Sequence, residues 1–273
     1  MKEVLLGDLR IAYAEAGHGA PLVLLHGGMD DSRSWRRQMD GLADEFALFA
    51  WDAPGCGRSS DVSESWRMPD YADALARWLD AVGVSRPHIL GLSWGSSIAI
   101  EFFRRHSHVP ASLILAGAYA GWAGSLPPEE VAARLESVLA AAGLQREQLL
   151  AAWPGVLSSA APAELIDELA PIWTDNAGSI HPGGYRAMAH SMAEADLRDV
   201  LPRIAVPTLL IFGELDQRAP LNVAKELHAR IPSAELVLIP GVGHLANVEA
   251  PAQFNSHVRR FIRSVTHDDS QKP

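Results

Sequence analysis

The sequence predicts a single α/β domain with a mostly parallel sheet and a helical insertion. Short apolar runs alternate with amphipathic helical patterns over most of the chain, which is typical of right-handed β-α-β crossovers. The alternation stops between about residues 119 and 203, where the chain is rich in alanine and leucine and is interrupted by prolines. A length of 273 residues is within the range of one domain that carries an insertion.

The elements before the insertion follow from the hydrophobic period. Two alternating segments, residues 3–6 and 9–15, predict an antiparallel hairpin with its turn at Gly7 and Asp8. The run PLVLLHGG is apolar before its glycines, as expected of a strand that is buried on both faces. Further strands are predicted at 47–51, 88–92 and 112–116, and helices at 34–43, 70–82 and 96–105.

The α/β pattern resumes after the insertion. A strand is predicted in VPTLLIFG, a helix at 222–230, a strand in AELVLIP and a last helix at about 252–265. The polar end THDDSQKP predicts a flexible tail. We therefore assign residues 1–118 and 204–266 to the sheet domain, 119–203 to the insertion and 267–273 to the tail.

Composition and charge exclude several classes of partner. Apolar residues make up 48% of the chain, which is normal for a globular protein. The net charge is −10 without any basic cluster, which argues against nucleic acid or an anionic membrane as partner. The segment MKEVLLGDLRIAYAEAG lacks the unbroken apolar run of a signal peptide or membrane helix. Because Cys56 is the single cysteine, no intrachain disulfide forms, and we expect a soluble, cytoplasmic protein.

The pentapeptide GLSWG, residues 91–95, lies where a buried strand meets a helix. A residue at such a turn adopts a strained backbone conformation, which is tolerated mainly where function requires it. Glycines two residues to either side remove side chains that collide where strand and helix cross. G-x-S-x-G in this setting is a nucleophile elbow, and it presents its serine at the ligand-binding edge of the sheet. We predict Ser93 as a nucleophile; the alternative is a tight turn in which Ser93 caps the helix.

A serine nucleophile needs a general base, and the base needs an orienting carboxylate. Among 11 histidines, His244 is the best candidate, because GVGHLANVEAP places it after the last strand, at the same edge as Ser93. The loop GELDQRAP after the preceding strand contains Glu214 and Asp216. We predict Asp216, which lies further out in the loop, and expect Glu214 to be structural. Some enzymes of this type carry the acid after the strand that precedes the insertion. The loop AGAYAGWAG at that position has no acid, which favours Asp216.

Attack on an acyl carbon creates an oxyanion, which N–H groups fixed in advance stabilise. The N–H of Trp94, at the start of the helix, is one predicted donor. The second is expected from the loop HGGMDDS after the third strand. We predict the N–H of Gly28, with that of the adjacent Met29 as the alternative donor. If the loop has no catalytic role, Gly27 and Gly28 simply form a flexible turn.

Five motifs resemble those of the α/β-hydrolase family over almost the whole chain. VLLHGG, WDAPGCGRSS, GLSWGS, GELDQRAP and GVGHLANVEAP occur in the family's order and approximate spacing. The resemblance implies an eight-stranded sheet with its second strand antiparallel, and a helical cap between strands six and seven, which residues 119–203 match. It also implies that Cys56 lies in a turn that shapes the fold and is not a nucleophile. Ser96 and Ser97 replace a third glycine, which is a mild departure.

These features predict a serine hydrolase that cleaves a small-molecule ester or lactone through an acyl-enzyme, without a metal or cofactor. No HExxH, CxxC or phosphate-binding glycine loop is present. A serine at the elbow argues against haloalkane dehalogenases and epoxide hydrolases, whose nucleophile is aspartate. Carbon–carbon bond hydrolases rank lower, because their oxyanion loop is often rich in glycine and proline, unlike GGMDDS. Cofactor-free haloperoxidase or perhydrolase activity is compatible with the same site, and so is a ligand-binding receptor that retains the triad.

The insertion contains five large apolar side chains: Trp122, Trp153, Trp173, Met188 and Met192. Together they suggest a pocket for the acyl or alcohol part of a substrate. For each side chain alone, packing inside the cap helices is an equally good interpretation.

Overall fold

A computed structural model describes residues 1–144, 147–148, 155–232 and 234–269, and within them eight strands form one sheet. The strand order is β1-β2-β4-β3-β5-β6-β7-β8. Strand β2 pairs antiparallel with β1 and β4, and the other neighbours pair in parallel. The strands are β1 (Lys2–Leu6), β2 (Leu9–Ala16), β3 (Ala20–Leu25), β4 (Phe46–Trp51), β5 (His88–Leu92), β6 (Ser112–Ala116), β7 (Thr208–Gly213) and β8 (Ala234–Ile239).

Nine α-helices lie within the same described residues. They pack in groups, with α1 against α9 and α2 against α3. No helix of the described chain is both long and apolar enough to span a membrane. The helices are α1 (Arg36–Leu42), α2 (Met68–Val82), α3 (Trp94–Arg105), α4 (Pro128–Ala140), α5 (Ala163–Asn176), α6 (Pro182–Glu194), α7 (Leu221–Arg230), α8 (Ala246–Glu249) and α9 (Pro251–Asp269).

This architecture confirms the predicted fold class, including the eight strands and the antiparallel second strand. The predicted strand and helix segments correspond to β1–β8, α1, α2, α3, α7 and α9, with ends that differ by a few residues. Helix α8 was not predicted, because four residues are too few to show a helical period. Between β6 and β7 the described residues form helices α4–α6 and a 3₁₀ turn at Leu201–Arg203, and no strand. The division into sheet domain and cap stays a prediction.

Helix α9 extends further than the sequence indicates. It continues through Asp269, three residues into the segment predicted as a flexible tail. Neither proline nor glycine occurs between Pro251 and Asp269, and Val265 packs into the core, so the helix has no local reason to end earlier. Residues 270–273 lie outside the described chain.

The start of α3 crosses the end of β3 so closely that only glycine fits at one position. A Cβ atom on Gly95 would lie 2.2 Å from the carbonyl oxygen of Leu25 and 2.7 Å from that of His26. A Cβ on Gly91 would lie 2.4 Å from the carbonyl oxygen of Gly95. These distances confirm that the two glycines remove side chains that would collide as strand and helix cross.

Gly95→Ala is expected to destabilise the protein by about 3 kcal/mol or more, because the new methyl group meets backbone atoms that cannot rotate away. Gly83→Ala is the matched control. Gly83 has a φ of +71° and open space around its Cβ position, so alanine there costs only about 1–2 kcal/mol of left-handed strain. Urea denaturation measures both changes. Equal losses in the two variants would contradict the close crossing.

Candidate active site

Ser93 occupies the turn between β5 and α3 in a strained backbone conformation. Its φ of 52° and ψ of −110° lie outside the regions that residues with a side chain normally adopt. Its N–H donates to the carbonyl of Ala116 at 2.8 Å, and its own carbonyl accepts from the N–H of Ser96 at 3.0 Å. These bonds hold the strained residue in place. The side chain is partly exposed, whereas Leu92 and Trp94 on either side are buried.

His244 and Asp216, which lie on the loops after β8 and β7, are in direct contact. The His244 Nδ1 atom lies 2.8 Å from Oδ2 of Asp216, and both side chains are buried. The other carboxylate oxygen, Oδ1, accepts the backbone N–H groups of Arg218 and Ala219, each at 2.8 Å. Because an ionised carboxylate only accepts, Nδ1 of the neutral imidazole carries the proton and Nε2 is left as an acceptor.

Glu214, the alternative acid, has a different position. Its carboxylate is exposed and accepts the N–H of Gly241 at 3.1 Å, which ties the end of β7 to the turn after β8. It therefore contacts backbone and not the imidazole of His244.

One cavity brings most of the predicted site residues together. It has a volume of about 90 Å³ and a mostly apolar lining. Ser93, His244, Gly28 and Trp94 all line it, and Asp216 lies behind His244. From the insertion, the cavity is lined by Trp122, Trp173, Met188 and Met192, whereas Trp153 lies outside the described residues.

The two predicted oxyanion donors lie next to each other at this cavity. The Cβ position of Gly28 is 3.9 Å from Cβ of Trp94 and 3.0 Å from Sδ of Met188. Within the described chain, neither N–H pairs with a protein acceptor. Met29, the alternative donor, has a φ of 61°, so this loop is strained directly beside Gly28.

Two side-chain contacts that the sequence does not predict hold the loop that contains Gly28 and the start of α3. His26 accepts the N–H of Ala53 at Nε2 (2.9 Å), so its Nδ1–H donates to the carbonyl of Gly27 (2.8 Å). Burial lowers the pKa of His26, which keeps this arrangement neutral. The indole Nε1–H of Trp94 donates to Oγ of Ser191 on α6 at 3.0 Å, which joins the start of α3 to the insertion.

Two adjacent acids on the loop after β3 connect it to helix α5. Asp30 lines the cavity, and its Oδ1 accepts the indole N–H of Trp173 at 3.1 Å. Asp31 accepts an N–H from the side chain of Asn176 at 2.8 Å and is paired with Arg33. Burial, and then the charge of Asp31, raise the pKa of Asp30 well above its usual range. Burial also opposes ionisation of Asp31, but the hydrogen bonds and charge of Arg33 outweigh it and lower that pKa.

Three comparisons relate this chain to known proteins. The family model described as the alpha/beta hydrolase fold matches residues 20–251. The chain is 29% identical to 2-hydroxy-6-oxononadienedioate/2-hydroxy-6-oxononatrienedioate hydrolase 2 of Pseudomonas putida, covering 94% of this chain and 92% of that protein. It is 26% identical to pyrrolizixenacetamide deacetylase of Xenorhabdus hominickii, with 97% and 98% covered. A solved thermophilic esterase from Thermogutta terrifontis, with malate bound, has a TM-score of 0.84 and 28% identity, with 97% and 99% covered.

Asp30→Asn is expected to change how stability depends on pH. The native pKa of Asp30 is raised above the value of about 3.9 in the unfolded chain, so between the two values the native state holds a proton that the unfolded state has released. The free energy of unfolding of the wild type therefore falls as pH rises from the unfolded pKa of Asp30 to its native pKa. Asparagine keeps an acceptor for Trp173 but does not ionise.

Urea unfolding of both proteins between pH 4.5 and pH 8 measures this effect. The stability of Asp30→Asn relative to the wild type should rise with pH across this range. Asp40→Asn, which removes an exposed carboxyl group from α1, is the control and should follow the wild-type slope. Parallel curves for Asp30→Asn and the wild type would contradict the burial argument.

Proposed function

The chain belongs to the α/β-hydrolase fold family, and we propose that it is a serine hydrolase that cleaves carboxylic esters or lactones through an acyl-enzyme. One observation carries the proposal. Nδ1 of His244 is held by Asp216 at 2.8 Å, while His244 and Ser93 line the same cavity. A buried imidazole with its acceptor nitrogen free and a serine in a strained turn beside it are the parts that acyl transfer requires.

The proposed reaction has two steps. Oγ of Ser93 attacks the carbonyl carbon and its proton passes to Nε2 of His244, while the N–H groups of Gly28 and Trp94 bind the oxyanion. Asp216 stabilises the imidazolium, which then protonates the leaving alcohol and leaves Ser93 acylated. Water, deprotonated by His244, attacks the acyl-enzyme and releases the acid. Serine is regenerated without a metal or cofactor in either step.

The lining of the cavity supports a small substrate with an apolar portion. Trp122, Met188 and Met192 face the space beside Ser93, and the volume of about 90 Å³ favours short acyl or alcohol groups. We propose that residues 119–203 act as a cap that supplies these contacts, which determine the choice of substrate.

Carbon–carbon bond hydrolysis is the second candidate. It is favoured by the relative from Pseudomonas putida, whose name specifies a 2-hydroxy-6-oxo-dienedioate as substrate. The loop GGMDDS, in which Met29 has a left-handed backbone conformation, is the feature that ranks this reaction below ester hydrolysis. Loss of the 2-hydroxy-6-oxononadienedioate on incubation with the enzyme, followed by chromatography and compared with hydrolysis of p-nitrophenyl esters, separates carbon–carbon bond hydrolysis from ester hydrolysis.

Ser93→Ala is expected to lower kcat for p-nitrophenyl butyrate by about 10⁴- to 10⁶-fold, because the nucleophile is lost. The wild type should also release a burst of about one equivalent of nitrophenolate, which reports the acyl-enzyme. Ser264→Ala, on α9, removes a hydroxyl group that donates to the carbonyl of Phe261 in its own helix, away from the cavity, and is the control. A Ser93→Ala enzyme with more than about a tenth of wild-type activity would overturn the assignment.

Trp122→Phe is expected to change acyl-chain selectivity by about 10-fold in favour of longer p-nitrophenyl esters, because it widens the cavity by part of an indole ring. Phenylalanine is chosen because truncation of a buried tryptophan to alanine typically costs about 3–5 kcal/mol. Trp78→Phe, in the core beside Tyr13 and Trp51, is the control that should alter stability without altering selectivity. An unchanged chain-length profile in Trp122→Phe would exclude this residue from the substrate pocket.

A further inference from the structure

The mostly apolar cavity beside Ser93 contains one feature that ester hydrolysis alone does not explain. Arg218, two residues after Asp216 on the loop between β7 and α7, is part of its wall. Tyr119 connects this arginine to the reacting groups. Its ring centroid lies 6.5 Å from that of His244, and its hydroxyl donates to the carbonyl of Arg218.

The backbone of Arg218 is fixed on both sides. Its N–H donates to Oδ1 of Asp216 at 2.8 Å, and its carbonyl accepts from the hydroxyl of Tyr119 and from Nη2 of Arg134 at 3.0 Å. The backbone polar groups of this residue are therefore used, and the guanidinium extends from a rigid point. A rigid attachment reduces the entropy that a binding group loses when a ligand orders it.

The guanidinium of Arg218 has no carboxylate partner among the described residues. The acids in its vicinity are already paired: Glu130 binds Arg134 at 2.6 Å, and both oxygens of Asp216 are used by His244 and the backbone. The side chain of Arg218 is only partly exposed, and this burial lowers the pKa of its guanidinium. A desolvated cation without a counter-ion is costly unless an anion joins it.

We propose that Arg218 binds a carboxylate of the substrate, so that the enzyme prefers esters or lactones that carry a free carboxylate group. The inference rests on the proposed function and specifies its substrate class. The planar guanidinium matches a carboxylate through two parallel N–H···O bonds. The ionised Asp216 two residues away and Glu130, which pairs with Arg134, keep the positive charge around Arg218 small, which fits a monoanionic carboxylate better than a phosphate dianion.

Arg218 and Ser93 line the same cavity, so one substrate molecule can contact both residues. Half-esters of C4–C6 dicarboxylic acids vary the separation between the carboxylate and the scissile bond, and the series therefore samples the span between the two residues.

The test compares each half-ester with a neutral ester of the same size. Monoethyl succinate, glutarate and adipate are paired with the ethyl esters of the matching monoamides, and acid release is followed by pH-stat titration. In the wild type, kcat/KM for the best half-ester should exceed that for its amide partner by roughly 10- to 100-fold, the value of a charge-assisted hydrogen bond in a desolvated site. Arg218→Gln should bring this ratio close to one, mainly through KM.

Two further variants make the result specific. Arg218→Lys keeps the charge but loses the two-pronged geometry, and an intermediate ratio is expected. Arg230→Gln removes the same charge from the exposed side of α7, where Arg230 pairs with Glu226, and should leave the wild-type ratio unchanged. A wild-type ratio near one, or an unchanged ratio in Arg218→Gln, overturns the carboxylate site while ester hydrolysis stands.

Failure of the proposed function gives a different result. If neither member of any pair is hydrolysed and p-nitrophenyl esters are not hydrolysed either, the proposed ester hydrolysis fails, and calorimetric titration of glutarate into the wild type and Arg218→Gln tests the carboxylate site separately. Binding that is lost in Arg218→Gln supports an anion site on a protein of another activity. Equal binding to both proteins, or tighter binding of inorganic phosphate than of glutarate, overturns it.

Discussion

The close approach of α3 to the end of β3 is the constraint from which the geometry of the site follows. Gly95 lies against the carbonyl of Leu25, and Gly91 lies against the carbonyl of Gly95, so the chain turns from strand to helix within one residue. That residue, Ser93, has a φ of 52° because no relaxed conformation connects β5 to α3 at this distance. The same turn places the first N–H groups of α3, which have no partner inside the helix, at the edge of the sheet. The strain of Ser93, its partial exposure and the unpaired N–H groups at the start of α3 thus have one structural cause.

The second constraint is the attachment of the loop after β3 to the insertion. Asp30 and Asp31 both contact α5, through Trp173 and Asn176, yet their ionisation is opposite. Arg33 keeps Asp31 charged, whereas burial beside that charge favours the protonated form of Asp30. A protonated Asp30 holds the indole without placing a negative charge next to Gly28, where an oxyanion is proposed to form. The position of the predicted cap and the position of the oxyanion loop are therefore physically coupled.

The sequence predicted the fold and the contact between His244 and Asp216 because both follow from local pattern and topology. Strand and helix periods show the element order, and the carboxyl ends of parallel strands meet at one edge, so loop residues after β7 and β8 come together. The roles of Asp30 and Arg218 had no such signal. Asp30 and Asp31 are identical residue types next to each other, and they differ through the ion pair of Asp31 with Arg33 and through contacts to a helix more than 140 residues later. What distinguishes Arg218 is its place in the cavity wall without an acidic partner among the described residues, and both features depend on tertiary structure.

The charge distribution makes a local cation more informative than the overall charge of the protein. The net charge of −10 would repel an anionic substrate at a distance, but salt screens such repulsion beyond a Debye length of about 8 Å at physiological ionic strength. Inside the cavity, Arg218 has no acidic partner among the described residues, and burial raises the pKa of Asp30, which favours its uncharged form. A desolvated guanidinium is screened far less than a surface charge. If Arg218 binds a carboxylate, discrimination arises at contact distance and not during approach, so the chemistry of the cavity determines which esters are cleaved.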